Sequence, residues 1–579
     1  MLLSVTPHRT CRFRFIVPLL LLFVLSAHGK PIKLRTGHIE PHRQPPPQAR
    51  GQQRAEEGLY LIQLRDNPPP AWRPQVQQLG VQLLHYVPDD TFIARVPPEA
   101  VARVNALAFV EWIGEYSPEY KVHPRLAATL ARPGGLQSHN VSILLSRTAT
   151  AAELNSARTA FLNVRNQSTL PFGSIMRGSI SRAKLAELAR SHAVIWIEPG
   201  PNFKLVDETA AVIVAGEAEQ PGQTYAQYFG FDGHGVTVAV PDSGLNNGDA
   251  ATMHPDLFGR VAAFFYYGTL TDAADEHSHG THVAGIIAGN GATGEVDEYG
   301  ALYGLGVASQ ARIIAQRIFD GLGNYEAPPS FERLTRDAVR AGADIASNSW
   351  GDDTQGRYDL SAAEFDALVR DADSLAPGAQ EFIIEFSAGN AGPGLQTVGS
   401  PAVAKNVIAT GASQNDRFDF IIYSDGQDAM ADFSSRGPCE DGRIKPDLVA
   451  PGTWIASLKS ASAGTENAWA EISDNYIYQG GTSQAGPQVS GAAAVLVQYL
   501  REVYGLSRPS PALVKAALIN SAVDMDDSFG TAPIPNADEG WGRVDLTQII
   551  LAPAAFDFVD QTQPLTQNQT FERRLICAS

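Results

Sequence analysis

From Gly58 to Leu64 the chain reads Gly-Leu-Tyr-Leu-Ile-Gln-Leu, an apolar-rich stretch of strand composition, and Thr91-Phe-Ile-Ala-Arg-Val96 repeats that character. Pro98–Leu107 has the spacing of a short helix, and Phe109-Val-Glu-Trp-Ile113 returns to strand. The order strand, helix, strand, helix, strand then replays. Val110-Glu-Trp-Ile-Gly-Glu-Tyr-Ser-Pro-Glu-Tyr-Lys121 aligns with Val194-Ile-Trp-Ile-Glu-Pro-Gly-Pro-Asn-Phe-Lys204 with one residue deleted. Ser181–Ala189 corresponds to the helix Pro98–Leu107, and Asn140–Ser146 to the first strand. The tandem predicts two small α/β units of ferredoxin-like form, over residues 57–125 and 139–205.

After Gly233 the rhythm changes. Gly-His-Gly-Val-Thr-Val-Ala-Val240 is a turn followed by almost unbroken apolar positions, and Phe382-Ile-Ile-Glu-Phe is similar. Such runs mark strands buried on both faces of a parallel sheet, whose working residues lie just past the strand ends. Gly491–Leu500 is a long apolar run that reads as a helix. Ahead of all this, Arg9, Arg12 and Arg14 precede the apolar run Phe15–Ala27, followed by small residues. That run is of signal-peptide length and too short to cross about 30 Å of hydrocarbon, so residues 1–29 read as a signal peptide and the protein as secreted or extracellular. Residues 30–56, with Pro45-Pro-Pro, read as a proline-rich linker.

With 579 residues the chain exceeds a single core, and two or three domains are expected. Apolar residues at 44% and charged ones at 18% fit a soluble globular protein. A net charge of -18 leaves no basic footprint for nucleic acid, and no later stretch suggests stable membrane insertion. Three cysteines, Cys11, Cys439 and Cys577, lie too far apart for a Cys/His metal site; the last two could pair in an oxidising compartment.

The candidate chemistry lies in Val238-Ala-Val-Pro-Asp242-Ser-Gly, His279-Gly-Thr-His282-Val-Ala-Gly and Gln479-Gly-Gly-Thr-Ser483-Gln-Ala-Gly-Pro. Asp, His and Ser occur in that order. Ser483 follows small residues at the start of a helical run, where unpaired backbone N–H groups can hold developing negative charge. A serine hydroxyl becomes a good nucleophile when a histidine takes its proton and a carboxylate fixes that histidine's tautomer. The combination argues for a serine hydrolase.

The order of these residues and their flanks resemble the subtilisin-like serine peptidases (subtilases), most closely the secreted group that usually carries a C-terminal β-sandwich. The resemblance covers roughly residues 225–550. It implies an α/β fold with a mostly parallel central sheet and helices on both faces. It makes Asp242, His279 and Ser483 the catalytic residues, His282 structural, and the Asn390 amide the second oxyanion donor beside the Ser483 N–H. It implies that main-chain groups of Ser349 and Gly351 hold a bound peptide as an added strand; Trp350 either lines a pocket for an apolar side chain or packs in the core. It places the duplicated segment as a propeptide, an intramolecular inhibitor and folding aid, with self-cleavage between about Val206 and Thr224. Relatives often bind calcium for stability, and Asp249, Asp352 and Asp353 are oxygen donors of the kind calcium takes. No stretch has the spacing of a dedicated loop, so no metal ligands are assigned; no cofactor is required for the chemistry. Residues 551–579 resemble the beginning of the C-terminal sandwich and are far too few to complete one.

The expected function is a secreted serine endopeptidase acting on proteins or peptides through an acyl-enzyme, with broad apolar or aromatic preference. Two alternatives stand beside it. One is a processing peptidase of narrow, basic specificity that reads its substrate with Asp352 and Asp353. The other is a catalytically silent protein of this fold that binds partners through its duplicated segment.

Overall fold

The structure is a computed structural model that describes residues 30–34, 36–41, 58–65, 68–69, 71–131, 138–200, 204–205, 211–216, 223–297, 301–415, 426–525, 532–550, 557–560, 570 and 572. The expected signal peptide, most of the expected maturation window, Cys577 and nearly all of the C-terminal stub lie outside the described residues. Two compact units divide at Tyr120 and Lys121, and each is taken by itself.

In the first unit four antiparallel strands lie in the order Gln82–Val87, Thr91–Val96, Gly58–Leu64, Val110–Glu115. Alternation puts Tyr60, Ile62 and Leu64 on one face with Phe92, Ala94 and Val96, where they bury Val76 of the helix Trp72–Gln78 and Val101 and Val104 of the helix Val101–Asn105. The second repeat has the same order: Phe161–Leu170, Gly173–Ser181, Ser138–Ser146, Val194–Pro199. Both are βαββαβ units of ferredoxin-like form. The hydrophobic pattern reveals three strands in each; the additional ones, Gln82–Val87 and Phe161–Leu170, are edge strands. Leu162 is exposed and most neighbours on its strand are polar, so no clean alternation marks it.

Two boundaries differ from the expectation. Residues 32–39, read as linker, form a hairpin of Ile32–Leu34 with Gly37–Ile39, and Ile32 and Ile39 are buried. Residues 121–125, assigned to the first repeat, belong with the second: Val122 bridges Ile197, the Lys121 ammonium donates to the Ser191 carbonyl at 2.8 Å, and Leu126 enters the second repeat's core.

The large domain is built on seven parallel strands in the order Val261–Tyr266, Arg312–Arg317, Thr237–Asp242, Ile345–Asn348, Ile383–Ser387, Ile408–Ser413, Leu448–Pro451. Val238, Val240 and Ile313 face the helices His279–Ala288 and Thr482–Tyr504, while Ala239, Ile314 and Ile384 face Phe331–Arg340 and Leu360–Arg370. Helices therefore cover both faces, which explains the uninterrupted apolar runs. Pro241 sits in a central strand, a place that disfavours proline. It fits because pairing with Ile345–Asn348 ends at Ala239–Ala346, so no ladder partner needs its missing N–H on that side.

Candidate active site

Asp242 ends its strand and His279 opens its helix. His279 Nδ1 and Asp242 Oδ1 are 2.6 Å apart, and both side chains are fully buried. The same carboxylate oxygen accepts from the Ser243 N–H at 2.7 Å. A carboxylate on Nδ1 favours the tautomer whose proton lies between them and leaves Nε2 as the basic nitrogen.

Asp275 fixes the beginning of this helix. Its Oδ2 accepts from the Thr281 N–H at 2.8 Å and the Thr281 hydroxyl at 2.5 Å; its Oδ1 accepts from the Ser278 N–H at 2.9 Å and the Ser243 hydroxyl at 2.7 Å. The Ser243 oxygen accepts in turn from the Gly280 N–H at 2.9 Å. These bonds satisfy helix-start donors and hold Ser278 at φ 72, a left-handed conformation costly for a serine. Gly280 is required here, because a Cβ would overlap the Gly244 carbonyl oxygen.

Ser483 is the second residue of the helix Thr482–Tyr504. Its hydroxyl donates to the Ser349 carbonyl at 2.8 Å, and the Ser349 hydroxyl donates to the Ser483 carbonyl at 2.8 Å. Thr482 ties in Asn390: its N–H and hydroxyl both donate to Asn390 Oδ1, at 3.0 and 2.9 Å. A backbone N–H can only donate, so the bonded atom is the amide oxygen, and Asn390 Nδ2 is the amide's donor. Phe433-Ser-Ser-Arg-Gly-Pro438 braces this loop, since the Ser435 N–H donates to the Gly389 carbonyl at 2.9 Å and the Ser435 hydroxyl accepts from the Ala391 N–H at 3.1 Å.

The two halves meet through His282 and Gln484. Gln484 Nε2 lies 3.1 Å from His282 Nδ1, and His282 Nε2 lies 3.3 Å from the carbonyls of Ile455 and Ile477. Nε2 therefore carries the proton and donates, while Nδ1 accepts. Burial, and then the neighbouring His279, push the His282 pKa well below the usual imidazole value, so it stays neutral.

Beside Asn390 a depression is lined by Gly351, Asp352, Asp353, Ser387, Ala388, Gly389 and Gly399. Of the two readings of Trp350, a substrate-pocket wall or a core residue, its surroundings favour the core. Its ring is fully buried, packed within 5.0 Å of Phe386 and 6.0 Å of both Phe331 and Phe365, centroid to centroid. Successive strand residues point to opposite faces, so Trp350 turns into the core while Gly351 faces the depression.

The backbone of Trp350–Gly351 is already paired. Lys204–Leu205, from the end of the duplicated segment, forms an antiparallel strand with it, Lys204 opposite Gly351 and Leu205 opposite Trp350. The second repeat docks on the same domain. The Asn166 amide donates to the Pro328 carbonyl at 3.1 Å, the Gln167 N–H to the Pro329 carbonyl at 3.1 Å, and the Ser168 hydroxyl to Glu364. Arg177 and Glu364 form an ion pair at 2.7 Å, both buried, with the guanidinium 4.8 Å from the centre of the Phe331 ring. Glu198 accepts from the Trp196 indole N–H at 2.9 Å and from the Leu360 N–H at 2.8 Å, capping the helix Leu360–Arg370.

Sequence reasoning missed Asp275, Ser243, Thr482 and Ser435. Asp275 carried a usable signal, an acidic residue shortly before a helix start. Among the described residues no group of three or more His, Cys, Asp or Glu is arranged to hold a metal ion, and no helix is long and apolar enough to cross a membrane. Asp249 accepts from the Ala251 N–H at 3.0 Å and the Thr252 hydroxyl at 3.1 Å within its own turn.

A family model described as the subtilase family matches residues 233–542, and one for a domain of unknown function matches residues 33–117. Serine protease AprX of Bacillus subtilis is 33% identical over 303 residues, 51% of this chain and 62% of AprX. Pyrolysin of Pyrococcus furiosus is 30% identical over 376 residues, 55% of this chain and 25% of pyrolysin. Among solved structures, fervidolysin of Fervidobacterium pennivorans, described as a keratinolytic enzyme related to subtilisin, gives a TM-score of 0.48 at 22% identity, over 75% of this chain and 63% of that one. The chain thus spans less than two thirds of the length of each of these relatives.

Proposed function

The chain belongs to the subtilase family, and on that premise we propose that it is a secreted serine endopeptidase made as a self-processing precursor. The observation that carries this reading is the 2.6 Å contact of Asp242 and His279 at a helix start packed beside the start of the Ser483 helix. In the proposed reaction the Ser483 hydroxyl leaves the Ser349 carbonyl, gives its proton to His279 Nε2 and attacks the peptide carbonyl. Asp242 stabilises the imidazolium. Asn390 Nδ2 and the Ser483 N–H hold the oxyanion. His279 then protonates the leaving amine, and water releases the acyl group by the reverse sequence. The steps use protein groups and the attacking water. Asn390→Ala should lower kcat by about 3 kcal/mol of transition-state stabilisation with KM little changed.

A peptide substrate would add as a strand against Ser349–Gly351, the place Lys204–Leu205 occupies here. That occupancy supports reading the second repeat as an inhibitor that reaches the cleft, with self-cleavage after Leu205 and before about Thr224. The depression beside Asn390, walled by glycine and alanine backbone, suits broad recognition of apolar or aromatic side chains. A second reading is favoured by Asp352 and Asp353 in the same wall, which would attract Lys or Arg. A peptide-library cleavage profile separates the two: a strict requirement for Lys or Arg before the cut bond, lost when Asp352 and Asp353 become Asn, selects the basic specificity. A fluorophosphonate probe should label Ser483 once the duplicated segment is gone. Unlabelled, intact protein after that removal would contradict the enzyme reading and favour a binding protein.

A further inference from the structure

Beneath the start of the Ser483 helix lies a carboxyl group that the proposed reaction does not use. Glu385 is in the strand Ile383–Ser387 and almost wholly buried. Its Oε2 accepts from the Ser347 hydroxyl at 3.4 Å and the Ser490 hydroxyl at 3.3 Å. The Thr410 hydroxyl faces the carboxyl from the neighbouring strand, where a bond to it favours the anion. A Cβ on Gly486 would come within 2.7 Å of Oε1, so glycine there lets the helix settle onto the carboxyl.

The position matters because each element touching Glu385 carries one part of the site. Ser347 is two residues before Ser349, whose carbonyl holds the Ser483 hydroxyl. Gly486 and Ser490 are on the nucleophile helix. Ser387, on the same strand as Glu385, donates to the Thr482 carbonyl at 3.0 Å, and the strand runs on to Asn390. The groups that face the carboxyl are Ser347 and Asn348 from one strand, Thr410 from another, and Ser490 from the helix; all are neutral hydroxyl or amide donors.

We propose that Glu385 is a positioning residue: its neutral carboxyl joins the Ser483 helix to the strands bearing Ser349 and Asn390, and its ionisation sets the alkaline limit of activity. As a neutral acid it carries an O–H that can donate to the Thr410 oxygen facing it. As an anion it would place a charge in a dry site with no cation beside it, loosening the packing under Thr482 and Ser483. Burial, only partly opposed by the surrounding hydrogen bonds, pushes its pKa up to about 8. The folded protein keeps this proton to higher pH than the unfolded chain does. Stability should therefore fall as pH rises from the ordinary carboxyl range through about 8, then level off.

The inference rests on the peptidase reading, and the test keeps the two apart. The full-length precursor is allowed to mature, and kcat/KM on a peptide substrate is measured from about pH 6 to about pH 10, with fluorophosphonate titration of Ser483 at neutral pH. Wild type should lose about tenfold by one pH unit above the Glu385 pKa, where about a tenth of the carboxyls stay protonated. Glu385→Gln, which keeps the shape and a donor but cannot ionise, should hold its rate across that range. Ser490→Ala removes a donor that favours the anion, so its alkaline limb should move to higher pH; it keeps the proposal testable if the glutamine variant does not fold. An alkaline limb unchanged in either folded variant overturns the role of Glu385. A Ser483 that never reacts with the probe overturns the peptidase reading.

Discussion

The two repeats share one topology and differ in what their equivalent residues touch. Trp112 and Trp196 occupy the same place on the last strand, two residues after Val110 and Val194. In the second repeat Glu198 follows two residues later, binds the indole N–H and caps the helix Leu360–Arg370. The first repeat has Gly114 at that position. The Trp112 ring lies over it so closely that a Cβ would collide with the ring. One substitution thus changes a strand end from a helix cap into a platform for its own tryptophan. The edge strands diverge further. Asn166, Gln167 and Ser168 in the second repeat bond to the large domain, and Arg177 on the adjoining strand meets Glu364. The two repeats share a fold, and a few polar residues of the second tie it to the large domain.

The largest expected effect is on retention of both repeats. Ser483→Ala should leave the precursor uncut and lower turnover by a factor on the order of 10⁶, as read by intact mass and peptide hydrolysis. Next, the second repeat added in trans to the mature enzyme should inhibit at micromolar concentration, and the first should not. Equal inhibition by the two, measured with separately purified repeats, would erase the comparison. Arg177→Ala should weaken that inhibition strongly, because it strands the buried Glu364; breaking such a pair costs about 3–5 kcal/mol, to be read as the shift in inhibition constant. Glu198→Ala, which removes the acceptor of the Leu360 N–H and of the Trp196 indole, should cost only about 1 kcal/mol in the same assay.

How much of this was legible in the sequence follows from how each part is stabilised. The central strands were readable because helices cover both faces of the sheet and most positions of Val236–Val240 and Phe382–Phe386 are apolar. The positions of Asp242, His279 and Ser483 at a strand end and two helix starts were readable because glycine and small residues mark close backbone approach. The docking strand was not, since an edge bearing Asn166, Gln167 and Ser168 has the composition of a solvated surface. The sequence does not choose between pocket and core for Trp350 for a related reason: a strand of two residues, Trp350–Gly351, has no alternation to reveal its inward face. The role of Glu385 was hidden as well, because one acidic residue in an apolar strand says nothing about which helix lies across it.

The most direct test of the account is intact mass spectrometry of purified precursor held without other proteases, beside the Ser483→Ala variant. The account predicts that wild type cuts itself between Leu205 and about Thr224, releasing the repeats, while the variant remains whole. Processing of the variant at the same bond, or a wild type that stays intact under conditions where its Ser483 reacts with a fluorophosphonate, would contradict it.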